Sequence, residues 1–419
     1  MKKYLAFFAV TLAAGPVFAA EPDGLILPPG FHASVVADGL GANVRHMAFG
    51  PNGNLYVSTN TMRDQPVTGI LALHLDASHK ADKTEHFGTA AGGTALRVYK
   101  GGLYVASPTT VYRYALGKTL VPAGEPQVII DSMPSTGGSG THSLAFDGKG
   151  NLYVSLDGSG NICVDPKAAP NSRPLGLKPC PGLTGRSGVW RFSDSKTGQK
   201  FPGDGEQYAT GVRNMGAMDW SNQGALYGVT HGRDTTHTQF PTLVSDADDD
   251  AIADEMHRIT KGTNLGWPFT YYDEVRHMRL TGPEYGGDNK TAADASIYDT
   301  PVAGFAPRRE APLDLVFYNA SQFPAKYRGG AFIAMHGTNG PKIPGGHGGY
   351  NVRFVKIDRN GDASAPEVFA DGFAGPTADD RYSGHATYRP VGEAVGPDGA
   401  LYVIESNKGR IWRISYSGK

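Results

Sequence analysis

The stretch LAFDGKGNLYVSLD, residues 144–157, contains the pattern that decides the fold. A short apolar segment comes first, a Gly-containing turn follows, and Leu-Tyr-Val then begins a second segment. Asp-Gly and Lys-Gly pairs supply the positive φ that tight hairpin turns need. Because Leu and Val alternate with Tyr, the second segment presents one apolar face, as a strand in a sheet does. The stretch therefore predicts a β-hairpin.

Five further stretches repeat this pattern. They are FGPNGNLYVSTN at 49–60, RVYKGGLYVASP at 97–108, MDWSNQGALYGVTHG at 218–232, YRGGAFIAMHG at 327–337 and AVGPDGALYVIESN at 394–407. Six hairpins indicate a radial array, because a lone hairpin cannot bury its apolar face. We therefore predict an all-β fold, a six-bladed β-propeller with long inter-strand loops. A pair of β-sandwiches is the alternative.

The two ends of the chain carry short strand patterns that would close such a ring. Residues 410–414 read as a last strand and residues 31–36 as a first one, and their pairing in one blade would hide two sheet edges. Segments rich in Pro, Gly and polar residues are predicted to be loops at 160–188, 233–252 and 270–312. Loops on a rigid scaffold are common places for functional sites.

Composition supports this interpretation and excludes several classes of protein. Gly accounts for 57 of 419 residues, and charged residues for only 19%. The 39 Lys and Arg residues nearly balance the 40 Asp and Glu residues. This excludes a disordered chain, a coiled coil and a nucleic-acid binder that relies on net positive charge.

The first residues predict export. Lys2 and Lys3 precede an apolar run at 4–15, and Val17-Phe18-Ala19 offers a signal-peptidase site. We expect residues 1–19 to be a signal peptide and residues 20–419 to form one propeller domain in the periplasm or outside the cell. In that oxidising environment Cys163 and Cys180 favour a loop disulfide, with two free thiols as the alternative.

Two positions before predicted first strands offer chemistry at the central channel. His142 precedes the third hairpin and could act as a general base, although a structural role is the alternative. Arg213 and Asn214 hold the same place before the fourth hairpin. Their forked donors could bind an anionic or carbonyl oxygen, whereas a surface Arg beside a turn Asn is the alternative.

Metal motifs are weak when each segment is considered alone. The acidic run at 246–250 resembles a calcium loop, but Ala251 and His257 stand where an EF-hand needs Gly and Glu. A solvated acidic loop is the favoured interpretation. The 13 histidines show no tight ligand spacing. Only the folded ring could bring together His231, His336 and His385.

Taken together, several segments are more specific. The ordered series comprises GVRN at 211–214, GALY at 224–227, THG at 230–232, DEM at 254–256 and KGTNLGWP at 261–268. It resembles the soluble glucose/sorbosone dehydrogenase family, in particular the sorbosone-dehydrogenase-like branch. Members of that family are six-bladed propellers that use pyrroloquinoline quinone (PQQ) and calcium. LPPGF at 27–31 and RPVG at 389–392 are similar too.

The resemblance implies a periplasmic dehydrogenase that oxidises an aldose or sugar aldehyde by hydride transfer to PQQ. It implies that His142 is the general base and that Arg213 lies beside the quinone oxygen, where charge develops. It further implies cofactor contacts by Asn214 and Arg389, with Lys342 in a longer loop as the candidate for a lysine that has no aligned partner. The implied calcium residues are Gly232, Arg233, Asp254 and Glu255. A separate electron acceptor, a cytochrome or a quinone, is expected.

Departures from the family pattern keep alternatives open. Arg233 stands where relatives have a proline, and Met215-Gly216 follows the Arg-Asn pair. A calcium-dependent lactone hydrolase on the same propeller is one alternative. A non-catalytic propeller that binds a partner or a glycan is the other.

Overall fold

A computed structural model shows a ring of β-sheets. It describes residues 19–20, 24–60, 69–88, 93–135, 142–158, 160–164, 176–306, 309–340 and 342–418. Six sheets of four or five strands, which we number as blades 1–6, are built almost entirely from neighbouring chain segments. The prediction of a six-bladed β-propeller is confirmed.

The first three blades follow one another along the chain. Blade 1 contains Val44–Phe49, Leu55–Thr59, Ile70–Leu75 and Ala81–Phe87. Blade 2 contains Leu96–Tyr99, Gly102–Ala106, Val111–Ala115 and Gln127–Asp131, and the short strand Gln199–Lys200 joins its edge. Blade 3 contains Leu144–Phe146, Asn151–Leu156, Gly188–Ser193 and Glu206–Thr210.

The remaining blades complete the ring. Blade 4 contains Ala217–Trp220, Leu226–Thr230, Asp254–Ile259 and Ala303–Phe305. Blade 5 contains Pro312–Phe317, Ala331–Met335, Asn351–Val355 and Glu367–Ala370. Blade 6 contains Pro390–Val395, Leu401–Glu405, Ile411–Tyr416 and, from the other end of the chain, Phe31–Ala37.

The pairing of the chain ends in blade 6 confirms the predicted closure. Phe31–Ala37 runs antiparallel to Ile411–Tyr416, with Val35 opposite Trp412. Each repeated motif supplies the second strand of a blade, and in five blades the quoted turn joins the first two strands. Blade 5 differs, because residues 318–330 separate its first two strands.

Apolar side chains between neighbouring blades form the core. The largest such cluster joins blades 5 and 6 through Phe31, Phe323, Phe332, Phe354 and Phe369. Phe31 meets both Phe323 and Phe369 edge to face, with ring centroids 4.8 and 5.1 Å apart. Such pairs contribute roughly 0.5–1.5 kcal/mol each beyond burial. The strand Phe31–Ala37 is thereby fixed to blade 5 as well as to its own blade.

All three predicted loops contain regular structure, including the helix Pro181–Gly185 in the 160–188 segment. The 270–312 segment includes a hairpin, Thr270–Asp273 with Met278–Thr281, and the outer strand of blade 4. The acidic run was expected to be a loop, but it forms the helix Asp246–Ala251. Ser245 and Asp248 build a capping box at its start, and acidic side chains there favour the N-terminal end of the helix dipole. Sequence reasoning therefore missed a short, well-capped helix.

Other helical elements are short. The α-helices Pro181–Gly185 and Thr236–Gln239 and the 3-10 turns Pro283–Tyr285 and Ala378–Asp380 lie between strands. Among the described residues no helix has the length and apolar character needed to cross a membrane. Cys163 and Cys180 form a disulfide that packs against Trp267, which confirms the predicted pair. The predicted signal peptide lies, up to residue 18, outside the described residues.

Candidate active site

A cavity of about 290 Å³ opens at one end of the ring. Its polar lining comprises Arg45, Asn60, Asn214, His231, Asp234, Asp254, Arg309, His336, Thr338 and Asn339. Three of these residues, Asn60, His231 and His336, directly follow the second strand of blades 1, 4 and 5. Because the first two strands of a blade are antiparallel, the start of one and the end of the other lie at the same end of the ring. The repeated hairpin therefore delivers polar side chains to one place.

One side of the cavity is rich in positive charge. Arg45 is only 6% exposed and donates through NH1 to the Val44 carbonyl oxygen at 2.7 Å. Arg389 lies behind the lining, where it donates to the His336 carbonyl oxygen at 3.1 Å and to Asn339 Oδ1 at 2.9 Å. We call Arg45, His336 and Arg389 the cationic cluster.

Burial and neighbouring positive charges lower the pKa values of Arg45 and His336 in the cationic cluster. Burial, with the nearby Arg389 guanidinium, lowers the pKa of Arg45 to about 10. Burial and the same two arginines hold the pKa of His336 well below its ordinary value, so this imidazole is neutral. Such a cluster favours a bound anion, because an anion would relieve the repulsion.

The opposite side of the cavity pairs its charges. Asp234 receives an ion pair from Arg213 and lies 3.3 Å from Arg309 Nε. Arg309 also contacts the Asp249 carboxylate at 3.3 Å. Burial raises the pKa of Asp234, but the two guanidinium groups outweigh it, and the net pKa is lowered. The predicted residue Arg213 is thus held beside the cavity by Asp234 and by Asn161 Oδ1 at 3.1 Å.

Asp254 lines the cavity but is fully engaged by the backbone. One carboxylate oxygen accepts from the Gly232 N–H at 2.8 Å, and the other accepts from the N–H groups of Glu310 and Ala311 at 2.6 and 3.0 Å. This carboxylate fastens the segment after blade 4's second strand to the segment before blade 5. Both of its oxygens accept hydrogen bonds from backbone N–H groups, so Asp254 holds the wall of the cavity in position.

The structure places Glu255 and Arg233 away from the main cavity. The Glu255 carboxylate pairs with Arg279 and lies 3.1 Å from His257 Nε2. Arg233 is buried, pairs with Glu284 and lies over the Tyr271 ring at 5.5 Å. Both predicted residues therefore have their side chains in buried ion pairs rather than in the cavity.

Lys342, the candidate for the family's lysine, is also outside the cavity. Its side chain is 56% exposed and lies 3.5 Å from the Asp379 carboxylate. Of the predicted cofactor residues, Asn214 lines the cavity and Arg389 lies directly behind it. The structure brings those two together and leaves Lys342 apart.

His142 is fully buried and does not line the cavity. Its Nδ1 lies 3.0 Å from the Ser155 carbonyl oxygen and its Nε2 lies 3.0 Å from the Pro108 carbonyl oxygen. Burial lowers its pKa. A neutral imidazole has one N–H and can donate to only one of these oxygens. Acceptance of a substrate proton would require one contact to open.

Two other histidines do face the cavity. His231 Nε2 lies 2.8 Å from the Pro312 carbonyl oxygen, so this nitrogen carries the proton and Nδ1 carries the lone pair. His336 Nε2 lies 2.8 Å from Ser406 Oγ. His385, by contrast, is on the surface, where it lies 3.1 Å from Asp380. Of the three histidines considered in the sequence, the ring brings together two.

Two amide oxygens in the lining have no hydrogen-bond partner, those of Asn60 and Asn214. Both are buried atoms, and an unpartnered buried acceptor is costly unless a ligand or water satisfies it. Sequence reasoning selected Asn214 but missed Asn60, Arg45 and Arg309. The available signal for Asn60 was its place directly after a Leu-Tyr-Val strand.

The described residues contain no cluster of three or more His, Cys, Asp or Glu side chains placed to hold a metal ion. The carboxylates of Asp254 and Glu255 are used by N–H groups and by Arg279 and His257, as described above. Gly232 lines the cavity, and neither its carbonyl nor that of Arg233 accepts a hydrogen bond from any described residue. Carbonyl oxygens, not carboxylates, are therefore the donors available to a hard cation.

Comparison with known proteins gives one family and one fold. The holo form of the PQQ domain of pyranose dehydrogenase from Coprinopsis cinerea has a TM-score of 0.73 at 17% identity, over 94% of this chain and 98% of that chain. A calcium structure of the Trichoderma reesei carbohydrate-active enzyme family AA12 has a TM-score of 0.71 at 17% identity, over 97% and 100%. These likenesses show the shared propeller fold.

A sequence relative matches more locally. An uncharacterised protein of Borreliella burgdorferi is 26% identical over 220 residues, which span 50% of this chain and 49% of that relative. The family model described as TrAA12-like matches residues 25–417. The predicted family and fold are thus confirmed, without singling out the sorbosone-dehydrogenase-like branch. The chain belongs to the TrAA12-like family.

Proposed function

We propose that this protein is a PQQ-dependent oxidoreductase that oxidises a sugar. The observation that carries the proposal is the cationic cluster beside a cavity of about 290 Å³, close to the lower end of the ~300–1,000 Å³ range of ligand sites. PQQ is a planar quinone that carries several carboxylates, so it matches a cavity flanked by the cationic cluster. The solved structures similar to this chain include the holo form of a PQQ domain.

The residues present fit such a cofactor. Arg45 would bind its carboxylates directly, and Arg389 would add positive potential from behind the lining. The unpartnered Asn60 and Asn214 amides lie in the same lining and would satisfy polar edges of the ring. When bound, PQQ would supply a two-electron acceptor. Arg213, held beside the cavity by Asp234, would stabilise negative charge that develops on the quinone oxygen.

The proposal includes calcium only as an ion bound by backbone carbonyl oxygens. The Gly232 and Arg233 carbonyls would contribute two of the six to eight oxygens that Ca²⁺ takes, roughly a third of its shell. The Asp254 and Glu255 side chains do not fit a metal role, because N–H groups and cations occupy them. We therefore derive no catalytic step through calcium.

Removal of a hydride from a sugar carbon also requires a proton acceptor. The resemblance assigns this role to His142, whose ring nitrogens both contact carbonyl oxygens. His231 lines the cavity with a free Nδ1 lone pair and is the second candidate. Parallel His142→Gln and His231→Gln variants separate the two, since only loss of the true base reduces kcat by the ~10²–10⁴-fold typical of general-base removal.

The substrate and the setting follow from the same proposal. An aldose or a sugar aldehyde would be oxidised to a lactone or an acid, and a separate carrier would accept the electrons. The N-terminal signal pattern supports a setting in the periplasm or outside the cell for this chemistry. N-terminal sequencing of the exported protein would check the cleavage after Ala19.

The decisive experiment is reduction of the cofactor by sugar without oxygen. The purified protein is loaded with PQQ, with and without Ca²⁺, mixed with a panel of aldoses, and its quinone absorbance is followed. We expect a sugar-dependent, stoichiometric loss of quinone absorbance. Binding of PQQ without its reduction by any sugar would contradict the proposal that a sugar is the substrate. Lactone hydrolysis without PQQ would favour the hydrolase alternative.

A further inference from the structure

A second cavity of about 350 Å³ lies next to the candidate active site. Its floor is the glycine-rich segment 345–349, and its other lining includes Asp250, Glu310, Asn351, Arg353 and Arg381. Neither the family resemblance nor the proposed cofactor uses these residues. The cavity therefore requires its own explanation.

Only a thin wall separates the two cavities. Gly349 lines the second cavity and Gly337 lines the first. A Cβ atom added at Gly349 would lie 2.7 Å from Gly337 Cα and 2.5 Å from the Glu310 carbonyl oxygen. Since Gly349 also has a φ of 84°, the close approach of the two segments requires glycine. The wall is thus built from glycine backbone.

The charges in the lining of the second cavity balance. Arg353 and Glu310 form a bidentate ion pair, with Arg353 Nε donating to Glu310 Oε2 at 2.8 Å. Arg381 pairs with Asp371, and Asp250 adds a second carboxylate to the lining. Two guanidinium groups and two carboxylates in the lining leave no net charge to attract an ion. The occupant that fits is polar but neutral.

Asn351 supplies an independent sign of a ligand. Its side chain is 2% exposed, lines the second cavity, and has a buried Oδ1 without a hydrogen-bond partner. A buried amide left unsatisfied costs about 1–3 kcal/mol. An amide offers both a donor and an acceptor, and a hydroxyl group is the neutral partner that can satisfy either.

We propose that the second cavity is a binding site for a neutral saccharide unit, beside the oxidation site. Vicinal hydroxyl groups both donate and accept, so they match the Asn351 amide, the guanidinium forks and the carboxylates together. The saccharide class rests on the proposed function, because a sugar is the substrate proposed for the adjoining cavity. The site would hold a sugar ring that is not itself oxidised.

Calorimetric titration of the full-length protein tests this proposal. The probes are maltotriose, cellotriose and xylotriose, with citrate as an anionic comparison. We expect at least one trisaccharide to bind and Asn351→Ala to weaken its binding about tenfold, the loss of one to two hydrogen bonds. Citrate binding should be unaffected by this substitution.

A second variant keeps the test sound if Asn351→Ala folds poorly. Arg381→Gln alters the partly exposed rim of the cavity, and Arg191→Gln, which removes a comparable ion pair with Glu206, is the matched control. Trisaccharide binding that is equal in the wild type and both cavity variants would overturn the proposal, as would no binding at all. Saccharide binding lost in these variants, in a protein that does not bind PQQ, would preserve this site and reject the proposed function.

Discussion

The two sides of the active-site cavity treat charge in opposite ways. On the blade 4 side, Arg213 and Arg309 both contact the Asp234 carboxylate. Behind that side, outside the cavity, the buried ion pairs are Arg233 with Glu284 and Arg279 with Glu255. On the side of blades 5, 6 and 1, Arg45 and Arg389 lie together near His336. Paired charges stabilise the architecture, because removal of one partner leaves an uncompensated charge. Like charges held together destabilise the protein alone and indicate a site for an anion.

The same contrast separates the two cavities. Each lining contains two guanidinium groups and two carboxylates, but Arg213 and Arg389 lie directly beside the first cavity and add positive charge there. Charge balance, read from the folded structure, therefore distinguishes a cofactor site from a site for a neutral ligand. The predictions below test whether ion-paired charges and neighbouring like charges behave as this comparison requires.

The largest effect is expected on the paired side. Glu255→Gln leaves Arg279 as an uncompensated buried charge, and we expect it to lower the free energy of unfolding by about 3–5 kcal/mol. Urea denaturation would measure this. The control is Glu206→Gln, in an ion pair that is about one-third exposed, where a loss of less than about 1 kcal/mol is expected. Equal stabilities of the two variants would break the comparison.

On the side where like charges lie together, the effect appears in cofactor binding. Arg45→Gln removes a charge-assisted contact, which is worth about 1.5–3 kcal/mol, so the Kd for PQQ should rise roughly 10- to 100-fold. Isothermal titration calorimetry would measure it. Arg413→Gln is the matched control, because Arg413 pairs with Asp398 away from the cavity. An unchanged Kd in Arg45→Gln would show that the cationic cluster does not bind the cofactor.

The same substitution should stabilise the protein without its cofactor. Burial and Arg389 lower the pKa of Arg45 to about 10, so its charge is unfavourable in the folded chain. We expect Arg45→Gln to raise the free energy of unfolding by about 1 kcal/mol in the absence of PQQ. Thermal unfolding without cofactor would detect this gain. A clear loss of stability would mean that Arg45 has a structural role like that of Arg279.

The smallest effect is a pH dependence on the paired side. Burial lowers the pKa of His257, but hydrogen bonds to Asp299 and Glu255 outweigh it and raise the net pKa. The folded state then binds more protons than the unfolded state, so stability is greatest below the ordinary pKa of about 6.5 and is lost as pH rises through the folded value. We expect the stability advantage of wild type over His257→Gln to shrink as the pH rises from about 6 to about 9, which urea denaturation at each pH would measure. A constant advantage over that range would contradict the assigned pKa direction.

Much of the fold could be predicted because its signal is local. The Leu-Tyr-Val hairpins recur, and the pairing of Phe31–Ala37 with the last strand follows from edge closure. The helix at Asp246–Ala251 was missed because its acidic residues suggested a loop, whereas capping by Ser245 stabilises a helix. Local patterns therefore identified the blades better than the connections.

The site was only partly predictable, because charge pairing is a long-range property. Glu255 and Arg233 lie in motifs typical of the family, yet their partners Arg279 and Glu284 are 24 and 51 residues away. Arg45 and Arg389 are even further apart in the chain, so no sequence window shows that they meet. The roles assigned to His142, Lys342 and the calcium residues stay predictions.

The most direct measurement of the central claim is a PQQ titration of three proteins: wild type, the double variant Arg45→Gln/Arg389→Gln, and Arg413→Gln. Each titration is done with and without Ca²⁺. We predict one-to-one binding in the wild type and in Arg413→Gln, and binding weakened by more than about 100-fold in the double variant. Equal affinity in all three, or no binding by the wild type, would contradict the assignment of the cationic cluster to an anionic quinone cofactor.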